Sequence, residues 1–239
     1  MNDGVRIAPR SDDVLDIVLT RPALSPDMAD AIMRALDAMP VATRAVFLHA
    51  EGPDFCTGRT PVMPPAGSRA TALELRRLIA DPVLDFYQRL RDVPVPVVIA
   101  VQGRAAGVGC ALAGLADVCI AADDATFSVP EMDKDIAPTL VMTALADRIS
   151  RAALARLVFG REPIVASEAR AIGLIGLTCP AGELMQRAEA LLAKLHGNSV
   201  PVLRGVKSFL NLHSEMSFAA RREAAALINA VVTAEKFRG

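Results

Sequence analysis

The chain has 239 residues, with 26 lysines and arginines against 27 aspartates and glutamates, a net charge of −1. Balanced charge without a basic cluster excludes the Lys/Arg stripe of a nucleic-acid surface, and the absence of Trp with only one Tyr excludes base-stacking platforms. Hydrophobic residues make up 52% of the chain before its 15 glycines are counted, above the usual ~45–50% that includes glycine, so the chain is not disordered and has ample apolar surface for a core or an interface.

In chain order, the N-terminal stretch Met1–Asp13 is polar and mixed in charge, unlike a secretory leader. Val14–Thr20 alternates and is β-branched, which predicts a strand. Ser25, Pro26 and Asp27 read as a helix start, with Ser as cap, Pro at the first helical position and an acid in the first turn. That helix should run to about Met39. Arg44–Ala50 is a second strand, and Glu51–Arg69, rich in Gly and Pro, is loop. Thr71–Arg91 has helical spacing, with a kink expected at Pro82. Val97–Val101 reads as a strand buried on both faces, Gly103–Gly109 as a turn into a small-residue helix, and Val118–Ala121 as the next strand. Beyond Glu131 the pattern is mainly helical: Thr139–Ile149, Arg151–Phe159, Ser167–Ile172, Gly182–Leu195, Val200–Leu212 and Met216–Glu235. This is an α/β chain with a helical C-terminal region. No apolar run reaches the ~20 residues of a membrane span. Cys56, Cys110, Cys119 and Cys179 show no metal spacing and read as reduced, packed thiols of a cytoplasmic protein. His49, His196 and His213 are too scattered for a zinc site.

The strands at 44–50 and 97–101 each run into a glycine-bearing loop, Gly52–Gly58 and Gly103–Gly109. If the strands are parallel neighbours, both loops open at one sheet edge, where α/β folds bind ligands. Two such loops can aim backbone N–H groups at one point, as an oxyanion hole requires. Glycines in such loops also serve tight turns and close packing, and the loops alone leave both roles open.

The text of the loops goes further. Gly52-Pro-Asp-Phe55-Cys56-Thr57-Gly58-Arg59 resembles the first oxyanion loop of the enoyl-CoA hydratase/isomerase (crotonase) family, G-x-x-F-[CS]-x-G-x-D. The run Pro96–Cys110, with Gly103, Gly107 and Gly109, resembles the second. Ala116–Glu131 resembles the stretch that ends in the family's Pro-Glu, here Pro130-Glu131, and Leu19–Pro22 and Ala166–Leu174 fit as well. The resemblance spans about residues 14–237 in register.

It implies a crotonase-like spiral of β-β-α units. Residues 1–175 would form the α/β core with an acyl-CoA site, and 176–239 a helical region for trimerisation, giving a homotrimer or a dimer of trimers. The thioester carbonyl would lie between the backbone N–H groups of Arg59 and Val108, with Cys56, Thr57, Gly58 and Gly107 as substrate-binding neighbours. Val108 stands where Gly is frequent, so a required positive φ would be costly. No cofactor is implied beyond coenzyme A within the substrate, and neither a metal, a nucleic acid nor a membrane is expected as partner. Hydratases of the family carry two glutamates. Here the first position is Ala111 and only Glu131 remains, which resembles the isomerases, where one glutamate shuttles a proton between two carbons. Asp133, Asp135 and His49 are the candidates for a hydrolytic or carbon–carbon-cleaving variant, with surface charge and a packed histidine as their plainer readings. The replaced acid also allows a relative that binds acyl-CoA without turnover. Thr233–Gly239 resembles the point where longer members continue into a further helix over the CoA, so weaker enclosure of CoA is expected. Arg59 could reach a CoA phosphate or a substrate carboxylate, or simply be solvated.

Overall fold

The computed structural model describes residues 4–65, 67–212 and 216–234; His213, the first three residues and the last five, on which parts of the terminal expectations fall, lie outside them. The main sheet has six strands: β1 (Val5–Pro9), β2 (Val14–Leu19), β3 (Ala45–Ala50), β4 (Val97–Val101), β6 (Val118–Ala122) and β9 (Leu177–Cys179), in that spatial order. Only β1 is antiparallel to its neighbour; the others pair in parallel. A small second sheet joins β5 (Arg104–Ala106), β7 (Thr126–Ser128) and β8 (Ile164–Val165). Every residue of β4 is fully buried, as its unbroken apolar run requires, and each such Val or Ile contributes roughly 1.5–3 kcal/mol by leaving water.

Helix α1 (Pro26–Asp37) starts as its sequence dictates: Ser25 Oγ accepts from the Met28 N–H at 3.2 Å, and Met28, Ala31, Ile32 and Leu36 form the buried stripe. The helical stretch after Thr71 opens with a capping box, Thr71 N–H donating to Glu74 and Glu74 N–H to Thr71 Oγ1. It comprises α2 (Ala72–Leu75), a π turn over Arg76–Ala80 and α3 (Asp81–Arg91). The kink expected at Pro82 takes this form because Pro82 has no N–H to give to the preceding turn; Asp81 N–H reaches back five residues to Arg76 O instead.

The remaining helices are α4 (Val108–Leu115), α5 (Thr139–Leu145), α6 (Arg151–Gly160), α7 (Ala166–Ala171), α8 (Leu184–His196), α9 (Val200–Leu212) and α10 (Phe218–Ala234). α5 stops four residues short of the predicted Ile149. β9 pairs with β6, and α8 packs against β4 and β6. Sheet and covering helix therefore continue past residue 175, and the helical region expected from 176 stands outside the sheet only from α9 onward. α9 is anchored by charge. Lys207 Nζ, 3% exposed, donates to both Asp117 oxygens at 2.9 and 2.7 Å, and Asp117 also accepts from the Val97 N–H at 2.7 Å. Among the described residues no helix is long and apolar enough to cross a membrane.

Candidate active site

Because β3 and β4 are parallel neighbours, with Val46 beside Val97 and Leu48 beside Ile99, the loops that follow them leave the same edge of the sheet. They are then stitched together. Phe55 N–H donates to Gln102 O at 2.9 Å, Cys56 N–H to Arg104 O at 3.1 Å and Ala106 N–H to Cys56 O at 2.8 Å. The Asp54 carboxylate adds a brace, accepting from the Arg104 backbone at 3.0 Å and its guanidinium at 2.7 Å, which holds Asp54 below the usual carboxylate range. The approach is so close that a Cβ on Gly109 would stand 2.1 Å from Cys56 O. Glycine is required there.

Arg59 forms an isolated parallel bridge with Leu24. The bonds of that bridge are made by its neighbours: Leu24 N–H donates to Gly58 O at 3.0 Å and Thr60 N–H to Leu24 O at 2.9 Å. The Arg59 N–H is thereby turned away from Leu24 and donates to no group among the described residues. Val108 is the first residue of α4, where an N–H has no acceptor within the helix, and it too is unengaged. Gly107, before it, donates to Ser128 O at 3.0 Å. The positive φ feared for Val108 falls instead on Gly107, at +54°, so the bulky residue carries no strain.

Arg59 and Val108 line one cavity of about 350 Å³, walled by Leu24 and Ala29 near α1 and by Leu78, Pro82 and Phe86 around the π turn and α3. Glu131 is not part of the cavity lining; it stands against Gly107, the residue before Val108, where a Cβ on Gly107 would lie 2.5 Å from Glu131 Oε1 and 3.9 Å from the Gly58 Cα. Glu131 opens a short 3-10 turn, Glu131–Lys134, closed by Asp135 in the left-handed region at φ +55°. Its Oε2 is buried without a hydrogen-bond partner among the described residues. Burial raises the pKa of this carboxyl, and its own backbone N–H, then the charges of Arg59 and Lys134, only partly oppose the rise. No second carboxylate stands at Ala111, which is fully buried within α4.

Other candidates occupy supporting places. Cys56 is fully buried and its thiol donates to Gly58 O at 3.3 Å; Thr57 gives both its N–H and its hydroxyl to Pro22 O. Both serve the loop, and neither lines the cavity. Cys110 and Cys119 are buried with raised pKa values, Cys119 pushed up to about 12 by burial. His49 is 3.3 Å from Asp16 and stacks on Phe47 at 4.6 Å. Asp133 and Asp135 are exposed, and Asp133 faces Arg161 at 3.5 Å. Among the described residues no group of three or more His, Cys, Asp or Glu is placed to hold a metal ion.

One residue was missed. Tyr87, the single tyrosine, is buried on α3, and its phenol is pushed far above its ordinary range, first by burial and then by the charge of Glu131, with Arg59 opposing. Its signal was present: Val83, Phe86, Tyr87 and Leu90 form one helical stripe, and a phenol in such a stripe brings a polar group to an apolar face.

The enoyl-CoA hydratase/isomerase family model matches residues 10–238. This chain belongs to that family. The human mitochondrial enoyl-CoA hydratase domain-containing protein 3 is 26% identical over 82% of this chain, the match covering 66% of that protein, slightly under two thirds of its length. A Rhodococcus jostii hydrolase of a methyl-dioxo-hexahydroindene-carboxyl-CoA is 29% identical over 77% of this chain and 69% of its own. Among solved structures, an enoyl-CoA hydratase from Mycobacterium smegmatis superposes with a TM-score of 0.88 at 23% identity, covering 95% of this chain and 90% of that one. A Thermobifida fusca protein assigned as an enoyl-CoA hydratase, solved with CoA, gives 0.88 at 24% identity over 99% and 95%. At these identities the superpositions establish the fold, and it is the crotonase fold.

Proposed function

We propose that the chain is an acyl-CoA enzyme that moves a double bond by proton transfer, with one acid/base and a backbone oxyanion hole. The observation that carries this reading is the pair of unengaged N–H groups, Arg59 and Val108, on one cavity, with a single desolvated carboxyl, Glu131, against Gly107. On a 3-enoyl thioester, the Glu131 carboxylate takes a proton from C2. The electron pair spreads onto the thioester oxygen, where two N–H donors meet the developing charge. The proton returns at C4, the double bond comes to rest between C2 and C3, and the carboxylate is regenerated. A carboxyl with a raised pKa is the stronger base for this step. Hydration would need a second group to hold and activate water, and the methyl of Ala111 can do neither. The CoA-bound relative of the same fold supports a CoA thioester as the substrate's carrier.

Assembly as a homotrimer or dimer of trimers belongs to the same proposal. α10 has no buried residue and exposes Phe218, Leu227 and Val231, and an isolated apolar face of this kind is covered by association. Light scattering at micromolar concentration tests it, a monomer being the contrary result. The buried, unpaired thiols favour a reducing compartment such as the cytoplasm.

The deciding assay follows 3-enoyl-CoA isomerisation and 2-enoyl-CoA hydration side by side. Glu131→Gln should slow isomerisation by ~10²–10⁴, the range of a lost general acid/base, while acyl-CoA still raises the melting temperature. Efficient hydration by the unaltered chain would overturn the single-acid reading. Thermal stabilisation by acyl-CoA with no turnover would instead identify a binder.

A further inference from the structure

Many arginines among the described residues are paired, and those that are not, Arg59 excepted, lie off the cavity. Arg10 is held by Glu189 and Asp12, Arg44 by Asp13, Arg89 by Asp37, Arg104 by Asp54, and Arg148 by the carbonyls of Gly114 and Ala116. Arg59 is different. It is half-buried, it lines the apolar cavity, and its guanidinium makes no hydrogen bond or ion pair among the described residues. It stands on the cavity lining with Val108 and Phe86, and its charge opposes the raised pKa values of both Glu131 and Tyr87.

A purely hydrocarbon acyl group filling this cavity would strip water from the guanidinium and replace it with nothing, which is unfavourable for any buried charge. A planar anion would turn the same group into a bidentate, charge-assisted partner. Two acids bear on it. Glu131 is engaged as the proposed acid/base. Asp30, on the lining at α1, is exposed, so water and salt screen its repulsion of an incoming anion.

Resting on the acyl-CoA reading above, we propose that the preferred substrates are thioesters whose acyl group ends in a carboxylate a few bonds beyond the thioester carbonyl, with Arg59 as the specificity-determining residue that pairs with it. The shortness follows from geometry: the side chain that takes the carboxylate belongs to the residue whose N–H faces the thioester oxygen, and about 350 Å³ lies near the small end of the ~300–1,000 Å³ of ligand pockets.

The test uses saturated, unreactive pairs of equal length on the full chain: succinyl- against butyryl-CoA, glutaryl- against pentanoyl-CoA and adipyl- against hexanoyl-CoA, with Kd measured by calorimetry. At least one carboxylated member should bind about ten- to a hundredfold more tightly than its neutral partner, the range of a charged hydrogen-bonded pair. Arg59→Met should close that gap, and Arg59→Lys, a point charge without the fork, should keep part of it. Asp30→Asn, at an exposed and screened position, should leave the gap in place. Neutral esters bound as well as or better than carboxylated ones by the unaltered chain would overturn the inference and leave the acyl-CoA reading standing. A gap that persists in Arg59→Met would remove Arg59 from it. Binding of none of the six would overturn both.

Discussion

At the amino-terminal ends of β4 and β6, Asp117 is saturated with donors, the Val97 N–H and the nearly inaccessible Lys207 ammonium. At the carboxyl-terminal ends of β3 and β4 the polar groups are left open: Glu131 Oε2 is buried without a partner, Arg59 has no anion, and the N–H groups of Arg59 and Val108 donate to nothing among the described residues. One sheet thus buries charge in two ways. Where both carboxylate oxygens are met by donors, the charge fixes a helix against the sheet. Where they are not, the unmet groups are available to a ligand, and the stability to hold them there comes from the stitched loops around them.

That contrast is broken or kept by variants at its two ends. Lys207→Ala leaves Asp117 buried with only a backbone donor and should lower the unfolding free energy by about 3–5 kcal/mol, read in urea melts, while the rate per folded molecule holds. The double variant Asp117→Asn/Lys207→Met should recover much of the loss, since an amide still accepts from Val97 and no charge stays unpaired. If Lys207→Ala proves mild and Glu131→Gln proves strongly destabilising, the roles of the two ends are the reverse of those drawn here.

The next largest effects separate the two glycines of the second loop. In Gly109→Ala the new methyl meets the Cys56 carbonyl at 2.1 Å, backbone against backbone, so the loops must part. Stability should fall by ~1–3 kcal/mol, as for other overpacked sites, and activity should fall with it. In Gly107→Ala the obstacle is Glu131 Oε1 at 2.5 Å, the far end of a side chain that can turn aside, with backbone strain at φ +54° added. Strain of this kind costs of order 1–3 kcal/mol, but displacement of the acid/base should reduce the rate out of proportion to the melt. Equal losses of rate and stability in both variants would mean that Glu131 tolerates the shift and is not positioned by Gly107.

What the sequence made legible follows the same division. The central strands, the capped start of α1, the two loops and the Pro130-Glu131 turn were readable because each has its signal within a dozen residues. β5, β7, β8 and β9 were not: two or three residues long, they exist only by pairing with partners distant in the chain. β1 is not legible because it is a five-residue stretch set in a polar, mixed-charge N-terminal run, and three of its residues, Arg6, Ala8 and Pro9, are exposed. Tyr87 is legible as part of the α3 stripe, but its place near Glu131 is not, nor is the cavity: both arise when α1 and α3 are laid over the loops, a tertiary placement that no local pattern encodes. The positive φ falls on Gly107, which carries it at no steric cost, and not on Val108.

The smallest expected effect is the one that examines the unpaired carboxyl directly. Burial holds the pKa of Glu131 above the ordinary carboxylate value, against the pull of its own backbone N–H and of Arg59 and Lys134. Between the ordinary and the raised value the folded chain therefore binds more protons than the unfolded one, so this residue's contribution to stability is most favourable on the acid side and declines as pH rises through that window. Gln cannot ionise. Glu131→Gln should accordingly melt at or slightly above the unaltered chain near neutral pH, and its advantage should shrink as the pH approaches ordinary carboxylate values. The isomerisation rate of the unaltered chain should move the opposite way, rising with pH as the carboxyl becomes a base. A melting advantage that grows in acid would show the carboxylate to be stabilised in its charged form. Arg59 would then be its partner after all, and the guanidinium would have no vacancy to offer a substrate's carboxylate.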